Sequence, residues 1–203
     1  MKRVAALLLA LGLAPVALPA QAASAAWGLF SARFDTRTSD FIYAVYGYGD
    51  TFGMMAVLHN PRSGYGEVLG AVGRRFRIGG GPTQFTAVGV AHATEAWYAQ
   101  VYYLPAVHAG PAWLRATSEL YLPLERAGTV QFALSPVAVT LGIAPRLEAG
   151  IALDLSAAQD AALSTAIGPE LRLSLPTGYI GTDIQKVIGG SGGRLRLFLL
   201  TSF

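Results

Sequence analysis

The sequence predicts an all-β protein, a transmembrane antiparallel up-and-down β-barrel of 12 strands. Three observations predict this fold. Short β-like segments alternate between an aliphatic and an ionisable face; charged residues make up only 13% of the chain while apolar residues reach 53%; and no continuous apolar run of about 18 residues follows the amino-terminal segment. Soluble domains carry roughly 25% charged residues. Low charge without an apolar helix is typical of a membrane β-barrel, because alternation dilutes its lipid-facing residues.

The amino-terminal segment is predicted to be a cleaved secretory signal peptide covering residues 1–22. Lys2 and Arg3 precede an apolar run from position 4 to position 18, and Ala20-Gln21-Ala22 forms a small-x-small cleavage site. A rival cleavage after Ala25 has the same form. We expect residues 23–203 to form one barrel domain, because no linker or block of charge divides them.

Charge and cysteine content exclude several functions. The chain has 15 basic and 12 acidic residues, and the signal peptide contains two of the basic ones, Lys2 and Arg3. The mature chain would therefore have nearly equal numbers of basic and acidic residues. The sequence therefore gives no support for nucleic-acid binding, which needs a clustered basic face. The chain contains no cysteine, which excludes disulfides, thiolate metal sites and a lipidated cysteine anchor. The histidines show no metal-ligand spacing and no cofactor motif is present, so we expect neither metal nor cofactor.

Turn residues divide the rest of the chain into the predicted strands. These are 26–34, 41–48, 52–59, 66–77, 84–93, 97–107, 112–124, 130–143, 146–155, 169–175, 179–188 and 194–203. Pro136 lies inside the eighth strand, where we expect a bend or bulge. The one longer loop is predicted over 156–167. A barrel that starts and ends on the same side of the membrane needs an even number of strands. If the segments on either side of 49–50 and 176–178 were merged or split differently, the number of strands would be 10.

Alternation predicts which residues line the barrel interior. In the seventh strand, Leu114 and Leu120 share one face while Arg115 and Glu119 share the other. A soluble sandwich or lipocalin-like barrel would bury the leucines, whereas a membrane barrel turns them towards lipid. Under the membrane interpretation the ionisable faces give the lumen-lining candidates Arg115, Glu119, Arg146, Glu148, Asp154, Glu170, Arg172, Asp183, Arg194 and Arg196.

Aromatic residues near strand ends are candidates for the girdles that membrane barrels place at the two lipid–water interfaces. Ordinary β-propensity would explain each of them equally well. The candidates are Trp27, Tyr48, Trp97, Tyr103, Trp113 and Tyr179.

The last ten residues form a two-faced strand that ends on an aromatic. Leu195, Leu197 and Leu199 share a face with Phe203. A final strand of this design resembles the C-terminal assembly signal of bacterial outer-membrane β-barrel proteins, although Thr201 stands where that class usually has a larger apolar residue. The resemblance implies a location in the bacterial outer membrane, contact with its lipid, and recognition of the last strand by the barrel assembly machinery. It identifies no particular family.

Three functions remain open on the sequence. The mixed charges of the predicted lumen favour a small passive channel for small polar solutes or ions. Cross-strand ion pairs between the same residues would equally give a closed structural barrel without conductance. Outer-membrane lipid hydrolases place His-x-Ser on one strand, and His92-Ala93-Thr94 resembles that arrangement with Thr in place of Ser. No third orienting group is evident, so no catalytic residue is predicted.

Overall fold

The protein is described by a computed structural model over residues 26–37, 39–94, 96–126, 128–159, 161–190 and 192–203. The predicted signal peptide lies outside the described residues. The strands are β1 (Ala26–Asp35), β2 (Asp40–Tyr48), β3 (Thr51–Asn60), β4 (Tyr65–Arg77), β5 (Thr83–Ala93), β6 (Ala96–Leu104), β7 (Ala106–Ala109), β8 (Ala112–Pro123), β9 (Gln131–Ala144), β10 (Leu147–Ala158), β11 (Ser164–Leu175), β12 (Gly178–Val187) and β13 (Gly193–Ser202).

The strands form one closed antiparallel barrel. Sequence neighbours pair from β1 to β6 and from β8 to β13, and two further ladders, β1 with β13 and β6 with β8, complete the circle. Closure leaves no exposed sheet edge, which is the condition for a β-structure to span lipid. No helix in the described part of the chain is long and apolar enough to cross a membrane.

β6 and β7 are two parts of one barrel strand that is interrupted at Pro105. Tyr103 pairs with Ser118 and Ala106 pairs with Arg115, so the register along β8 continues across the interruption. Proline cannot donate to the ladder, but the carbonyl of Pro105 still accepts a hydrogen bond from the amide of Ala116, with an N···O distance of 3.0 Å. The barrel thus has the predicted 12 strands, and β6 and β7 together correspond to the predicted sixth.

Two prolines have different effects on the strands that contain them. The β9 ladders to β8 and β10 both shift register at Ser135 and Pro136, which confirms the predicted bulge. Pro169 was expected to begin a strand, but β11 already begins at Ser164. The ladder from β11 to β12 lacks pairs at Gly168 and Pro169, so the proline interrupts this ladder without ending the strand. The predicted loop 156–167 was therefore too long, and the observed connection is 159–163.

The outer surface carries the aliphatic side chains. Leu197 on β13 is 52% exposed, whereas the flanking Arg196 is 1% exposed, and the same contrast recurs on β11 and β12. This arrangement is the inverse of a soluble β-protein and matches a barrel surrounded by lipid. It excludes the sandwich and lipocalin-like alternatives.

The two ends of the barrel differ in the length of their connections. Both termini of the described barrel lie at the end that carries two-residue turns at 49–50, 110–111, 145–146 and 176–177 and one five-residue connection at 78–82. The opposite end carries the connections 36–39, 61–64, 124–130, 159–163 and 188–192 and one two-residue connection at 94–95. Because membrane barrels of this class have short periplasmic turns and longer extracellular loops, we call these the periplasmic end and the extracellular end.

Candidate functional site: the barrel interior

The interior has two chemically different walls. Strands β1 to β6 contribute a cluster of buried apolar and aromatic side chains, among them Phe52, Leu69 and Tyr102. Strands β8 to β13 contribute most of the buried charged and amide side chains, such as Glu170 and Gln185, while Glu67 on β4 and Gln100 on β6 lie on the other wall. An apolar wall therefore faces a charged wall across the lumen.

Asp154 on β10 is the centre of the charged wall. Its carboxylate pairs with Arg194 and, at an O···N distance of 2.6 Å, with Nη1 of Arg196. Arg196 also donates from Nε to both oxygens of Asp183, at 3.0 and 2.9 Å. The hydroxyl of Ser135 donates to Asp154 at 2.9 Å. These charges are stable inside the barrel because each faces a partner of opposite sign with direct hydrogen bonds.

Two further ion pairs continue the charged wall towards the periplasmic end. Arg115 donates from both terminal nitrogens to Glu148, at 2.7 and 3.1 Å, and Thr140 donates to the same carboxylate at 2.6 Å. Arg172 pairs with Glu170 two residues earlier on β11. Both pairs connect inward-facing positions of the sheet, as the alternation of charge predicted.

Other hydrogen bonds cross the lumen instead of following the wall. The hydroxyl of Tyr121 on β8 donates to Glu67 on β4 at 3.3 Å and contacts Glu119 at 3.0 Å, while Tyr65 donates to Glu67 at 2.9 Å. β4 and β8 are not neighbours in the barrel. These contacts therefore span the interior in its extracellular half.

A second crossing lies at a similar level. Arg33 on β1 donates from Nη1 to the hydroxyl of Ser135 on β9 at 3.4 Å, and these strands are separated by four others. We use the term cross-lumen layer for the side chains that form the two crossings together with the Asp154 cluster: Arg33, Glu67, Glu119, Tyr121, Ser135, Asp154, Arg194 and Arg196.

A cavity of about 370 Å³ lies inside the barrel on the periplasmic side of this layer. Arg33, Glu119 and Ser135 line it at the layer, and Pro82 and Thr83 line it near the periplasmic end. Aromatic and aliphatic side chains from both walls surround most of the remaining space. The interior is thus an amphipathic chamber that a polar layer separates from the extracellular end.

The structure places nine of the ten predicted lumen residues on the inner face of the wall. The exception is Arg146, which lies in the turn between β9 and β10, is exposed, and has a φ of 75°. It lines a hollow at the periplasmic mouth beside Glu148. The sequence prediction began the ninth strand one residue too early, because the alternation Arg146, Glu148 continues across the turn and so hides the strand boundary.

Sequence reasoning missed Arg33 and Glu67, which both belong to the cross-lumen layer. The signal for Arg33 was present, since Ser31, Arg33 and Asp35 alternate with Phe30 and Phe34. Glu67 is the single acidic residue of an otherwise apolar and basic strand, so its direction was not given by a repeated pattern. Its inward orientation became evident only from the contact with Tyr121.

The aromatic residues divide between the two faces. Tyr48, Trp97 and Tyr103 point outward, as interfacial aromatics do. Trp27, Trp113 and Tyr179 point inward, so the girdle prediction was wrong for these three. The indole of Trp27 covers Gly47, where a Cβ atom would lie 2.2 Å from the ring. Trp113 and Tyr179 line the cavity.

The carboxyl-terminal residues have the predicted faces. Leu195 and Leu197 are exposed on the outer surface, and Phe203 is 78% exposed. Phe203 exchanges two backbone hydrogen bonds with Gly28 of β1, at 2.9 and 3.1 Å, and its ring lies over that glycine. The last residue therefore takes part in closing the barrel.

His92 and Thr94 do not form the nucleophile arrangement of a hydrolase. The imidazole of His92 is exposed on the outer surface and packs edge-on against Trp97, with ring centroids 4.7 Å apart. The hydroxyl of Thr94 accepts a hydrogen bond from the amide of Gly66 at 2.9 Å and donates to its carbonyl at 3.2 Å. The hydroxyl proton is therefore directed at a backbone carbonyl, which leaves Thr94 without the activation that a nucleophile needs.

Comparison with known proteins identifies the fold. No protein-family model matches the chain, and no characterised protein matches it in sequence. Among solved structures it is similar to the KdgM porin in complex with disordered oligogalacturonate, at 7% identity and a TM-score of 0.59 over 87% of this chain and 99% of that one. It is also similar to an outer-membrane channel from Pseudomonas putida F1, at 11% identity and a TM-score of 0.53 over 93% and 99%. The NanC porin is similar at 11% identity and a TM-score of 0.52, over 86% of this chain and 98% of the porin. The chain therefore has the fold of a bacterial outer-membrane β-barrel.

Proposed function

We propose that this barrel is a narrow outer-membrane channel for small polar solutes or ions. The cavity of about 370 Å³ inside the barrel supports this function most directly. Among the described residues, the barrier between that cavity and the extracellular end consists of hydrogen-bonded polar side chains, with no inserted loop or helix. Such a barrier can exchange its hydrogen bonds with water and with a polar solute. The similarity of fold to two porins and a channel agrees with the proposal.

A closed structural barrel is the second candidate, and one observation favours it. Arg196, Glu170 and Asp183 are each 1% exposed, so this part of the charged wall is covered by other side chains. Opposite charges buried to this extent compensate one another directly and need no water-filled path beside them. The two candidates differ in whether the cross-lumen layer lets solutes pass.

Single-channel conductance in a planar bilayer separates the two candidates. Residues 23–203, refolded and inserted, are expected to give small and discrete conductance steps. Arg33→Ala removes the side chain that reaches Ser135, so we expect the steps to grow severalfold. Arg62→Ala, in the exposed turn after β3, is the matched control and should conduct like the wild type. Folding and insertion are verified by heat-modifiable gel mobility. If neither the inserted wild type nor inserted Arg33→Ala gives conductance steps, the closed barrel is established.

The lumen charges are expected to set ion selectivity. Glu119→Gln removes an anionic group from the layer and should shift the permeability ratio towards chloride. Arg115→Gln removes a cation from the cavity wall and should shift the ratio towards potassium, because the charge of Glu148 is then unopposed. Reversal potentials under a salt gradient measure both shifts. An unchanged reversal potential in both variants would contradict a path along this wall.

We propose that the barrel assembly machinery recognises β13 through its outward face, which presents Leu195, Leu197, Leu199 and Phe203. Phe203→Ala should lower the amount of folded barrel in the outer membrane severalfold in cells. Tyr48→Ala is the matched control, because Tyr48 is also an exposed aromatic at the periplasmic end of a strand. Refolding into liposomes without the machinery should be similar for both variants. An equal defect of Phe203→Ala in liposomes would instead assign the loss to barrel closure at Gly28.

A further inference from the structure

The cavity combines apolar surfaces with guanidinium groups. Phe41, Phe52, Phe85 and Leu104 line it from the apolar wall. Four arginines also line it, Arg33, Arg115, Arg172 and Arg196, against two acidic residues, Glu119 and Asp183. Asp183 already accepts hydrogen bonds from Arg196. Arg115 and Arg172 are paired with Glu148 and Glu170, which do not line the cavity. The charged groups that face the cavity are therefore predominantly cationic, and most of its remaining surface is apolar.

Arg172 provides the specific contact point. Its side chain is 4% exposed, and its Nε donates to Glu170. Within the described residues no group accepts a hydrogen bond from its buried Nη1. A buried guanidinium donor without an acceptor is costly, and a carboxylate is a group whose geometry fits a guanidinium.

Aromatic rings surround this guanidinium. Its central carbon lies 4.9 Å from the ring centre of Tyr179 and 5.4 Å from that of Phe198. Arg115 stacks in the same way on Trp113, at 4.2 Å. The rings hold the arginines against the wall and give a ligand apolar surfaces directly beside the positive charge.

We propose that the cavity is a binding site for small amphipathic carboxylates, with the carboxylate at Arg172 and the apolar body against the aromatic wall. The volume of the cavity lies within the range of small-molecule sites. This inference names the solute class of the proposed channel and rests on that function for transport. Binding itself does not require conduction.

Isothermal titration calorimetry of the barrel in lipid nanodiscs tests the proposal, with empty nanodiscs as the blank because the probes partition into lipid. Phenylbutyrate carries one carboxylate on an aromatic body and is expected to bind. Phenylbutylamine has the same body with a cation, and butyrate has the carboxylate without the ring. Each of these two should bind at least about tenfold more weakly, the loss expected for one charge-assisted hydrogen bond or one buried ring.

A paired substitution tests the position of the carboxylate. Arg172→Gln combined with Glu170→Gln removes both charges of the buried pair, so neither is left unpaired, and should raise the Kd of phenylbutyrate roughly tenfold or more. Arg62→Gln, which removes a cation outside the cavity, should leave the Kd unchanged. An unchanged Kd in the paired variant, or equal affinity for the amine and the carboxylate, would overturn the proposal. The second comparison uses the wild type alone and does not depend on the variant folding.

The outcomes separate this inference from the proposed channel. Binding of phenylbutyrate by a barrel that is silent in planar bilayers would support the site and refute conduction. Discrete conductance without binding would support the channel and overturn the site. A carboxylate solute that passes through the binding site should also interrupt the ion current, so phenylbutyrate is expected to block the wild-type steps and to block the paired variant less.

Discussion

Replacing Arg196 with leucine is expected to lower the free energy of unfolding by about 3–5 kcal/mol. Arg196 is 1% exposed and bonds to both Asp154 and Asp183. Leucine would leave Asp183 without its cation and Asp154 with Arg194 alone, at positions that are 1% and 7% exposed. A buried carboxylate without a cation destabilises the folded state by more than the intact ion pair stabilises it. Most of the expected loss in unfolding free energy therefore comes from the unpaired carboxylate that remains.

Equilibrium urea unfolding in lipid vesicles, followed by tryptophan fluorescence, measures this change. The double variant Arg196→Leu, Asp183→Asn removes the stranded charge and should recover most of the loss, because Asp154 keeps its pair with Arg194. Arg62→Leu is the matched control for removal of an arginine and should change the free energy of unfolding by less than about 0.5 kcal/mol, as surface substitutions usually do. A single variant as stable as this control would show that water reaches the Asp154 cluster freely, which would in turn favour an open lumen.

The strands were predictable because each one repeats its pattern. Alternation over several residues fixed both the existence of a strand and the direction of its side chains, as with Glu170 and Arg172 on β11. The same parity places Trp113 beside Arg115 on the inner face. Its assignment to a girdle was wrong because the general preference of tryptophan for interfaces was given more weight than its position in the strand.

Boundaries and cross-lumen contacts were not predictable in this way. Pro169 was predicted to begin a strand, yet its missing amide falls in a gap of the β11–β12 ladder, and the position of that gap depends on the register between the two strands. The contact of Glu67 with Tyr121 depends on barrel closure, which brings together inward side chains of β4 and β8 past the two strands between them. A pattern within one strand contains no information about which residue lies across the lumen. The cavity is bounded by such contacts, and it could therefore not be predicted from the sequence.

The second large effect is expected at the outer surface. Leu197 lies near the middle of β13, between the inward-facing Arg196 and Phe198, and is 52% exposed. In a lipid-embedded barrel that position lies at the depth of the hydrocarbon core. Leu197→Arg should therefore lower the free energy of unfolding by about 2–4 kcal/mol, the cost of an arginine near the bilayer midplane.

Ile78→Arg provides the control because Ile78 is also an exposed aliphatic residue but lies in the connection between β4 and β5, beyond the strand ends. Its expected cost is about 0–1 kcal/mol, since charges near the interface are tolerated. The difference between the two variants reports the depth of Leu197 in lipid, because both introduce the same side chain at an exposed site. Equal costs would mean that β13 does not face hydrocarbon. In detergent-free water a soluble barrel would accept both arginines equally, so the depth dependence is the property that distinguishes the membrane barrel from its soluble inverse.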